Sequence, residues 1–361
     1  MKSSFYLNLA KKTLLIKLHK KMGVPFQLPY KYTFDLTYDC NSRCKTCSIW
    51  SNYQKENKKE IKLYEFKKTI KNIKNDILWL TFSGGEPTLK EDLPLFVEAV
   101  SKNCKNLAFI NIPTNGLNSQ KIRNTIKKSL DLCNPKIDFL VTISIDGLEN
   151  THDHIRGIKG AYKKALTTLK QLEKLKTKYK NFDVSIQTVI SKYNLDQIKK
   201  IYGKFKEKDI YFTLVHKSNY FKNLNHSNLI ENDKKNIEII KFLYKNKKIK
   251  QPGDIIQKIF LKLYIKYLKN QNKQVIPCYS SYSSLTIDAF CNIKPCDSYN
   301  KTIGNLRNNN YNIKRILKNK TSKKIRKEIK YNKCPICWVD CEAYSSIIEN
   351  PLKSIKEYIL K

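Results

Sequence analysis

Short apolar runs with the composition of β-strands recur along the first three fifths of the chain, separated by segments with helical periodicity. This alternation predicts βαβ units and a parallel sheet with right-handed crossovers. The predicted strands are 32–38, 77–82, 107–112, 139–145, 184–190 and 210–216. The predicted helices cover about 60–75, 90–103, 118–132, 160–180 and 194–208. Six strands are too few for a closed eight-stranded barrel, so the pattern predicts an α/β fold, a partial TIM-like (β/α)6 barrel.

The pattern changes after about residue 217. Lysine-rich helical patterns follow near 231–247 and 254–270, and residues 277–345 are turn-rich and hold six of the eleven cysteines. So short a segment buries little core alone, which favours a small metal-stapled domain. The predicted organisation is an N-terminal basic helical extension, the barrel, a helical linker, a cysteine-rich C-terminal domain and a final helix. Their predicted ranges are 1–30, 31–217, 218–275, 276–345 and 346–361.

The charge of the chain is unusual. Lysine and arginine number 70 against 31 acidic residues, a formal net charge of +39. Such an excess fits a nucleic-acid or anionic-membrane partner. The lysines are spread along the chain and form no stripe, which favours compositional drift and solvated faces. The charge should still favour acidic substrates or partners.

The N-terminal segment 5–22 is apolar but interrupted by lysines, and no small-residue cleavage site follows it. We therefore expect no secretory signal, and we expect a cytoplasmic location. The chain has no run of eighteen apolar residues, so no membrane-spanning helix is expected. The segment fits a basic amphipathic helix, and packing against its own domain is favoured over peripheral membrane contact.

The cysteines are clustered with short spacings, and their number is odd, which in a reducing compartment favours metal ligands over disulfides. Cys40, Cys44 and Cys47 have the spacing C-x3-C-x2-C directly after the first predicted strand. Three thiolates on one short loop can reach three corners of a cubane cluster and leave one iron open for chemistry. Zinc or buried thiols are the alternatives, but zinc would require a fourth ligand nearby. The loop lies at the strand end where barrel chemistry takes place.

This loop resembles the signature of the radical S-adenosylmethionine (radical SAM) superfamily, which follows the first strand of a six-stranded partial barrel. The resemblance implies a 4Fe–4S cluster whose open iron binds the amino and carboxylate groups of SAM. In that family, reduction splits SAM into methionine and a 5′-deoxyadenosyl radical, which abstracts hydrogen from a substrate. The chain has Thr46 where an aromatic residue or histidine often precedes the third cysteine.

Two further motifs follow the second and third strands. In "TFSGGEPTL", Gly84 and Gly85 permit close backbone approach, Glu86 supplies a carboxylate and Pro87 fixes the turn. By resemblance this is the motif that binds the SAM amino group, whereas in isolation it would be a turn. Asn115 in "IPTNG" is either a turn residue or, as in relatives, part of the cofactor pocket.

The fourth strand ends in "VTISIDGLENTHDHIRG", where Ser144 and Asp146 alternate on one face and Arg156 follows on the next loop. By resemblance Ser144 lies near the SAM ribose and Arg156 near its carboxylate, which suits an arginine fork. Asp146 has an alternative role in holding the loop together. His152 and His154 are candidate bases, although surface loop positions are the favoured interpretation.

On the fifth strand, Gln187 and Ile190 fall where relatives contact the nucleoside. Burial in the strand core explains both residues equally well.

The C-terminal cysteines form a second set. Cys278 and Cys296 are separated by seventeen residues, and "CPICWVDC" supplies Cys334, Cys337 and Cys341. This arrangement resembles the SPASM or twitch type of extension, which carries auxiliary clusters. The single-cluster version of this extension implies that Cys278, Cys296, Cys334 and Cys337 bind one auxiliary 4Fe–4S cluster. Cys341 could replace Cys337 in this set. A zinc ion on the same four thiolates is the alternative.

The remaining cysteines are not expected to be ligands. Cys291 occupies a turn where many relatives have glycine. Cys104 and Cys133 stand alone in helical patterns and are predicted to be buried thiols.

Together these features predict a radical SAM enzyme, an oxidoreductase or substrate-modifying maturase that abstracts hydrogen from an unidentified small molecule or peptide. The auxiliary cluster would accept or relay an electron, or help to bind substrate. An electron donor such as flavodoxin or ferredoxin is implied. The alternatives are an RNA-modifying or RNA-binding protein and a zinc-stapled interaction protein without catalysis.

Overall fold

The computed structural model describes residues 3–23, 27–55, 60–225 and 233–359, and within them nine strands form one sheet. The strands run in the order β6-β5-β4-β3-β2-β1-β7-β8-β9, and neighbours from β6 to β7 are parallel. They are β1 Lys31–Thr37, β2 Trp79–Gly84, β3 Phe109–Thr114, β4 Asp138–Ser144, β5 Phe182–Ile190, β6 Ile210–Leu214, β7 Ser284–Ile287, β8 Asn292–Lys294 and β9 Gly304–Asn305. Each of the six predicted strands lies within two residues of an observed one, which confirms the α/β fold.

Helices connect the parallel strands and cover the outer face of the sheet. In chain order they are α1 Ser3–Met22, α2 Ser51–Lys55, α3 Leu63–Ile73, α4 Leu93–Asn103, α5 Ser119–Leu132, α6 Glu149–Arg156, α7 Ala161–Glu173, α8 Ile198–Phe205, α9 Asp233–Asn246, α10 Pro252–Lys269, α11 Ile313–Lys318, α12 Lys320–Lys330, α13 Asp340–Glu349 and α14 Pro351–Ile359. The helix expected at 231–247 begins at residues outside the described ranges, and its described part is α9. Helix α6 was not predicted.

The two faces of the strands differ in polarity. On β1, Phe34 is fully buried against the helices, with its ring 5.0 Å from that of Phe66 on α3. Tyr32 and Leu36 share this apolar core. The alternating positions face the opposite side of the sheet, and Asp35 is among them. The barrel therefore has an apolar outer layer and a concave face that carries polar side chains.

The cysteine-rich segment continues the barrel sheet. Strand β7 pairs in parallel with β1, Lys31 opposite Ser284 and Phe34 opposite Ile287, and β8 and β9 follow in antiparallel order. These strands have only two to four residues. Such short strands show no periodicity in a sequence, so pairing with β1 was not predicted.

Helix α1 packs against the protein itself. Ile16 is fully buried in a cluster with Tyr30, Tyr279 and Tyr282. Among the described residues, no helix combines the length and apolar character needed to cross a bilayer.

Candidate active site

The loop after β1 carries the first three cysteines, Cys40, Cys44 and Cys47. Backbone hydrogen bonds fix it to the end of α6. The amides of Arg43 and Lys45 donate to carbonyl oxygens in the last two residues of that helix, at 3.0 and 2.7 Å. The loop is therefore shaped by a segment more than one hundred residues away in sequence.

The thiols of this loop lie in a setting that disfavours free thiolates. Burial raises the pKa of Cys40 and of Cys47 to about 12. The sulfur of Cys44 lies 3.2 Å from the Ser42 hydroxyl and accepts a hydrogen bond from Arg156 Nη1 at 3.7 Å. Buried thiolates need nearby positive charge, and the irons of a cluster would supply it. The donor set therefore fits an iron–sulfur cluster.

In the described ranges, histidine, cysteine, aspartate and glutamate side chains form no group of three or more that could hold one metal ion. This result is compatible with a cubane, in which each thiolate binds a different iron.

The glycine pair lets the turn after β2 lie directly against the cysteine loop. Gly84 has a φ of +121°, and a Cβ there would lie 2.2 Å from Thr37 O. A Cβ on Gly85 would lie 2.2 Å from Asp39 O. The amide of Gly85 donates to Thr37 O, and the amide of Glu86 donates to Asp39 O, both at 2.8 Å. Only glycine allows this contact.

The Glu86 carboxylate links the ends of β2 and β3. It accepts hydrogen bonds from Thr88 Oγ1 at 2.5 Å, Thr114 Oγ1 at 2.9 Å and the amide of Asn115 at 2.7 Å. Burial raises its pKa, and these hydrogen bonds oppose the rise. The carboxylate is thus engaged by protein donors beneath the cysteine loop. The side chain of Asn115 contacts that loop, and its Nδ2 donates a hydrogen bond to Asn41 Oδ1 at 2.7 Å.

A buried ion pair joins the end of β4 to the cysteine loop. Arg156 Nη2 lies 2.7 Å from Asp146 Oδ2, and the other Asp146 oxygen accepts from the Val189 amide at 2.8 Å. Burial raises the pKa of Asp146, and the guanidinium opposes that rise. The guanidinium is shared between this carboxylate and the Cys44 sulfur.

Two expectations about this segment were wrong. Arg156 is the last residue of helix α6 and does not lie on a loop. His152 is completely buried, and its Nδ1 accepts from the Asp146 amide at 3.0 Å. Burial, together with the Arg156 charge, lowers the His152 pKa to about 3. His154 is exposed, as expected, although on the helix.

Two of the remaining candidates share the concave face of the barrel. Ser144 and Gln187 are opposite each other in the register of β4 and β5. Gln187 also donates to Asp340 Oδ2 of α13 at 2.9 Å, which connects the barrel to the C-terminal segment. Ile190 belongs to the apolar core on the helix side of β5 and is not brought to the site. The odd spacing between positions 187 and 190 puts their side chains on opposite faces.

One polar residue on this face was missed in the sequence. Asp35 is fully buried, and Tyr220 Oη donates to its Oδ2 at 2.8 Å. Its Oδ1 has no hydrogen-bond partner among the described residues. Burial and the nearby Asp297 raise its pKa. An aspartate between two apolar residues of a predicted strand, Phe34 and Leu36, was the available signal.

The C-terminal cysteines converge on one cavity. Cys278, Cys296, Cys334 and Cys337 line a space of about 30 Å³, whereas Cys341 does not. None of them forms a disulfide. Burial raises the pKa of Cys278 to about 12 and that of Cys337 to about 11. Four thiols around one space fit a cluster in which each thiolate binds a different iron.

Backbone amides donate to two of these sulfurs. The Ser280 amide lies 3.4 Å from Cys278 Sγ, and the Tyr299 amide lies 3.2 Å from Cys296 Sγ. Hydrogen bonds to sulfur are among the features that tune iron–sulfur sites. Cys291 is buried with a φ of +67° in the turn between β7 and β8.

Cys104 and Cys133 are buried at the C-terminal ends of α4 and α5, which confirms their assignment as buried thiols.

The site is thus a three-cysteine loop at the end of the first strand of a barrel that is open on one side. Residues 35–205 match the family model of the Radical SAM superfamily.

Among curated relatives, the sporulation killing factor maturation protein SkfB of Bacillus subtilis (strain 168) is 30% identical over 183 residues. The match covers 50% of this chain and 40% of SkfB. The cysteine-type anaerobic sulfatase-maturating enzyme of Clostridium novyi (strain NT) is 32% identical over 187 residues, covering 48% of this chain and 47% of that enzyme. The matches thus span less than half the length of either relative.

Solved structures share the fold over nearly the whole chain. The enzyme anSMEcpe with bound AdoMet has a TM-score of 0.57 at 18% identity, covering 91% of this chain and 95% of anSMEcpe. SuiB of Streptococcus suis, bound to the precursor peptide SuiA, has a TM-score of 0.58 at 15% identity. That match covers 91% of this chain and 74% of SuiB.

Proposed function

We propose that this protein is a radical SAM maturase that cleaves SAM reductively and abstracts a hydrogen atom from a peptide substrate. The observation that carries the proposal is the loop of three unpaired cysteines at the end of β1, fixed by α6 and by the glycine turn after β2. When bound, a 4Fe–4S cluster and SAM would supply a 5′-deoxyadenosyl radical. With one electron from a donor, SAM would give methionine and this radical, and hydrogen abstraction from the substrate would convert the radical to 5′-deoxyadenosine.

The residues around the loop have distinct proposed roles. Cys40, Cys44 and Cys47 would hold the cluster, and Arg156 would balance thiolate charge at Cys44. Ser144 and Gln187, on the concave face, would contact SAM. The turn with Gly84 and Gly85, whose backbone lies against the cysteine loop, would line the same pocket. Glu86, Pro87 and Asp146 would position these elements, since both carboxylates are already engaged by protein donors.

One auxiliary 4Fe–4S cluster is proposed on Cys278, Cys296, Cys334 and Cys337. The cavity that these four thiols line supports this set over one containing Cys341. The Gln187–Asp340 hydrogen bond connects the segment to the concave face of the barrel, so an electron could pass between substrate and this cluster.

A peptide substrate is favoured by the relatives, which include a maturation protein and a structure bound to a precursor peptide. The unpartnered oxygen of Asp35 offers a hydrogen-bond acceptor within the barrel for a substrate donor group. A small-molecule substrate is the competing outcome. Comparing precursor peptides with small molecules for substrate-dependent loss of SAM would separate the two.

The basic surface would serve an acidic electron donor such as flavodoxin or ferredoxin, because a net charge of +39 steers acidic partners. A cytoplasmic location is proposed, since eleven unpaired cysteines require a reducing compartment. RNA binding remains a competing use of the charge. It would show as an affinity that falls steeply with salt.

Peripheral membrane contact is proposed as a second use of α1, whose outer face exposes Leu7, Leu14, Leu18 and Met22. Sedimentation with anionic vesicles would detect this contact.

The deciding experiment is anaerobic reconstitution followed by incubation with SAM and a reductant. The wild type is expected to bind roughly eight irons per chain, four per cluster, and to release 5′-deoxyadenosine. Cys44→Ala should abolish that product, whereas Cys334→Ala should retain some SAM cleavage and lose substrate turnover. Cys133→Ala, at a buried thiol far from both sets in sequence, is the control and should retain both clusters. Zinc without iron would reject the proposal.

A further inference from the structure

The inner face of α1 reaches the first C-terminal cysteine. Lys20 Nζ donates a hydrogen bond to the carbonyl oxygen of Cys278 at 2.6 Å. The ammonium also lies 3.9 Å from the centre of the Tyr279 ring, within the range of a cation–π contact. The ammonium group is therefore hydrogen-bonded to the backbone of a cysteine whose sulfur lines the four-thiol cavity.

The position of Lys20 is fixed by the docking of the whole helix. Ile16, one turn earlier, is fully buried against Tyr279 and Tyr282. Near the middle of α1, Lys12 forms an ion pair with Asp76 at 3.0 Å, and both side chains are largely buried. Lys20 is thus a partly buried charge held in place on two sides, unlike a lysine that moves freely in solvent.

We propose that Lys20 raises the reduction potential of the auxiliary cluster, an inference that rests on the proposed function of the four cysteines. A cluster bound by four thiolates is negatively charged, and reduction adds one further negative charge. A cation held beside one ligand favours the more negative state, and partial burial limits screening by solvent. Helix α1 thereby contributes to electron transfer although it lies outside the barrel and the cysteine-rich segment.

The chain offers a control on the same helix. Lys11 is exposed, so its charge is screened by water and salt. Lys20→Met removes the buried charge, Lys20→Gln removes it and keeps a hydrogen-bond donor, and Lys20→Arg keeps the charge. Lys11→Met removes a charge of the same kind from the solvent side.

The test is a redox titration of the anaerobically reconstituted full chain, followed by electron paramagnetic resonance with SAM present. SAM alters the signal of the cluster that it binds, so the unaltered signal reports the auxiliary cluster. At a fixed solution potential, Lys20→Met and Lys20→Gln should each lower the ratio of reduced to oxidised auxiliary cluster about tenfold. This corresponds to a fall of about 59 mV in the reduction potential for one electron. Lys20→Arg and Lys11→Met should match the wild type.

Several results would overturn the inference. If Lys20→Met and Lys20→Gln left the reduction potential of the auxiliary cluster unchanged, the cluster would not respond to the charge of Lys20. Loss of the auxiliary signal from both neutral variants, with Lys20→Arg intact, would assign Lys20 a structural role instead. A wild type with only one cluster, recognised by its halved iron content and a single SAM-sensitive signal, would remove the auxiliary cluster from the proposed function as well.

Normal 5′-deoxyadenosine release is expected in every variant, because the effect of Lys20 is confined to the auxiliary cluster.

Discussion

Replacing Gly85 with alanine tests whether the turn after β2 shapes the cysteine loop. The added Cβ would lie 2.2 Å from Asp39 O and 2.8 Å from Asp39 C and Tyr38 O, all backbone atoms that cannot rotate away. Overpacking of this kind costs about 1–3 kcal/mol. The shift would also stretch two backbone hydrogen bonds, from the amides of Gly85 and Glu86, worth about 1 kcal/mol each. We expect Gly85→Ala to lower the free energy of unfolding by roughly 2–5 kcal/mol.

Thermal unfolding and iron content measure the two consequences. With an unfolding entropy of about 2.1 cal/mol/K per residue, the melting temperature of this 361-residue chain should fall by roughly 3–7 °C. Because the strain falls on the residue before Cys40, the first cluster should be lost in preference to the auxiliary one.

Gly203→Ala is the matched control. A Cβ there has no atom within 4 Å, and the position lies inside helix α8. This change should stabilise the protein by about 1 kcal/mol. If Gly85→Ala kept wild-type stability and wild-type iron, the turn would not constrain the loop and the reasoning would be refuted.

Three further outcomes are expected. Asp146→Asn should cost about 3–5 kcal/mol in a denaturant titration, because it leaves Arg156 as an uncompensated buried charge, whereas Asp183→Asn, in an exposed ion pair, should cost less than about 1 kcal/mol. Burial tends to raise the pKa of Glu65, but hydrogen bonds from Arg307 and other donors outweigh it and lower the pKa to about 2. The stabilising contribution of Glu65 is therefore complete above its ordinary pKa of 4.5 and is lost as the pH falls towards 2. Glu65→Gln should make the free energy of unfolding depend less on pH in this acidic range. The same pH dependence in the variant and the wild type would contradict this. Removing iron with a chelator should lower the melting temperature, and no change would argue against metal-stapled cysteine sites.

Several functional residues could be located in the sequence only to the nearest element. The alternation of Ser144 and Asp146 at a strand end was visible, yet the partner of Asp146 depends on helix α6, whose short polar sequence gave no strong helical signal. His152 looked like a loop residue for the same reason. Ile190 was assigned to the nucleoside by resemblance, with burial in the strand core as the alternative, and its odd spacing from Gln187 puts it on the core face.

The sequence by itself determined the six barrel strands β1 to β6, the spacing of the two cysteine sets and the glycine turn, because these depend on residues close together in the chain. Alternating polarity within a strand and ligand spacing within a loop are local properties. Tertiary structure decided the rest: the pairing of β7 with β1, the convergence of four distant thiols on one cavity, the contact of Arg156 with Cys44 and that of Lys20 with Cys278. The three contacts join segments more than one hundred residues apart, and the four thiols come from three segments between residues 278 and 337. Only the packed sheet and its helices bring them within contact distance.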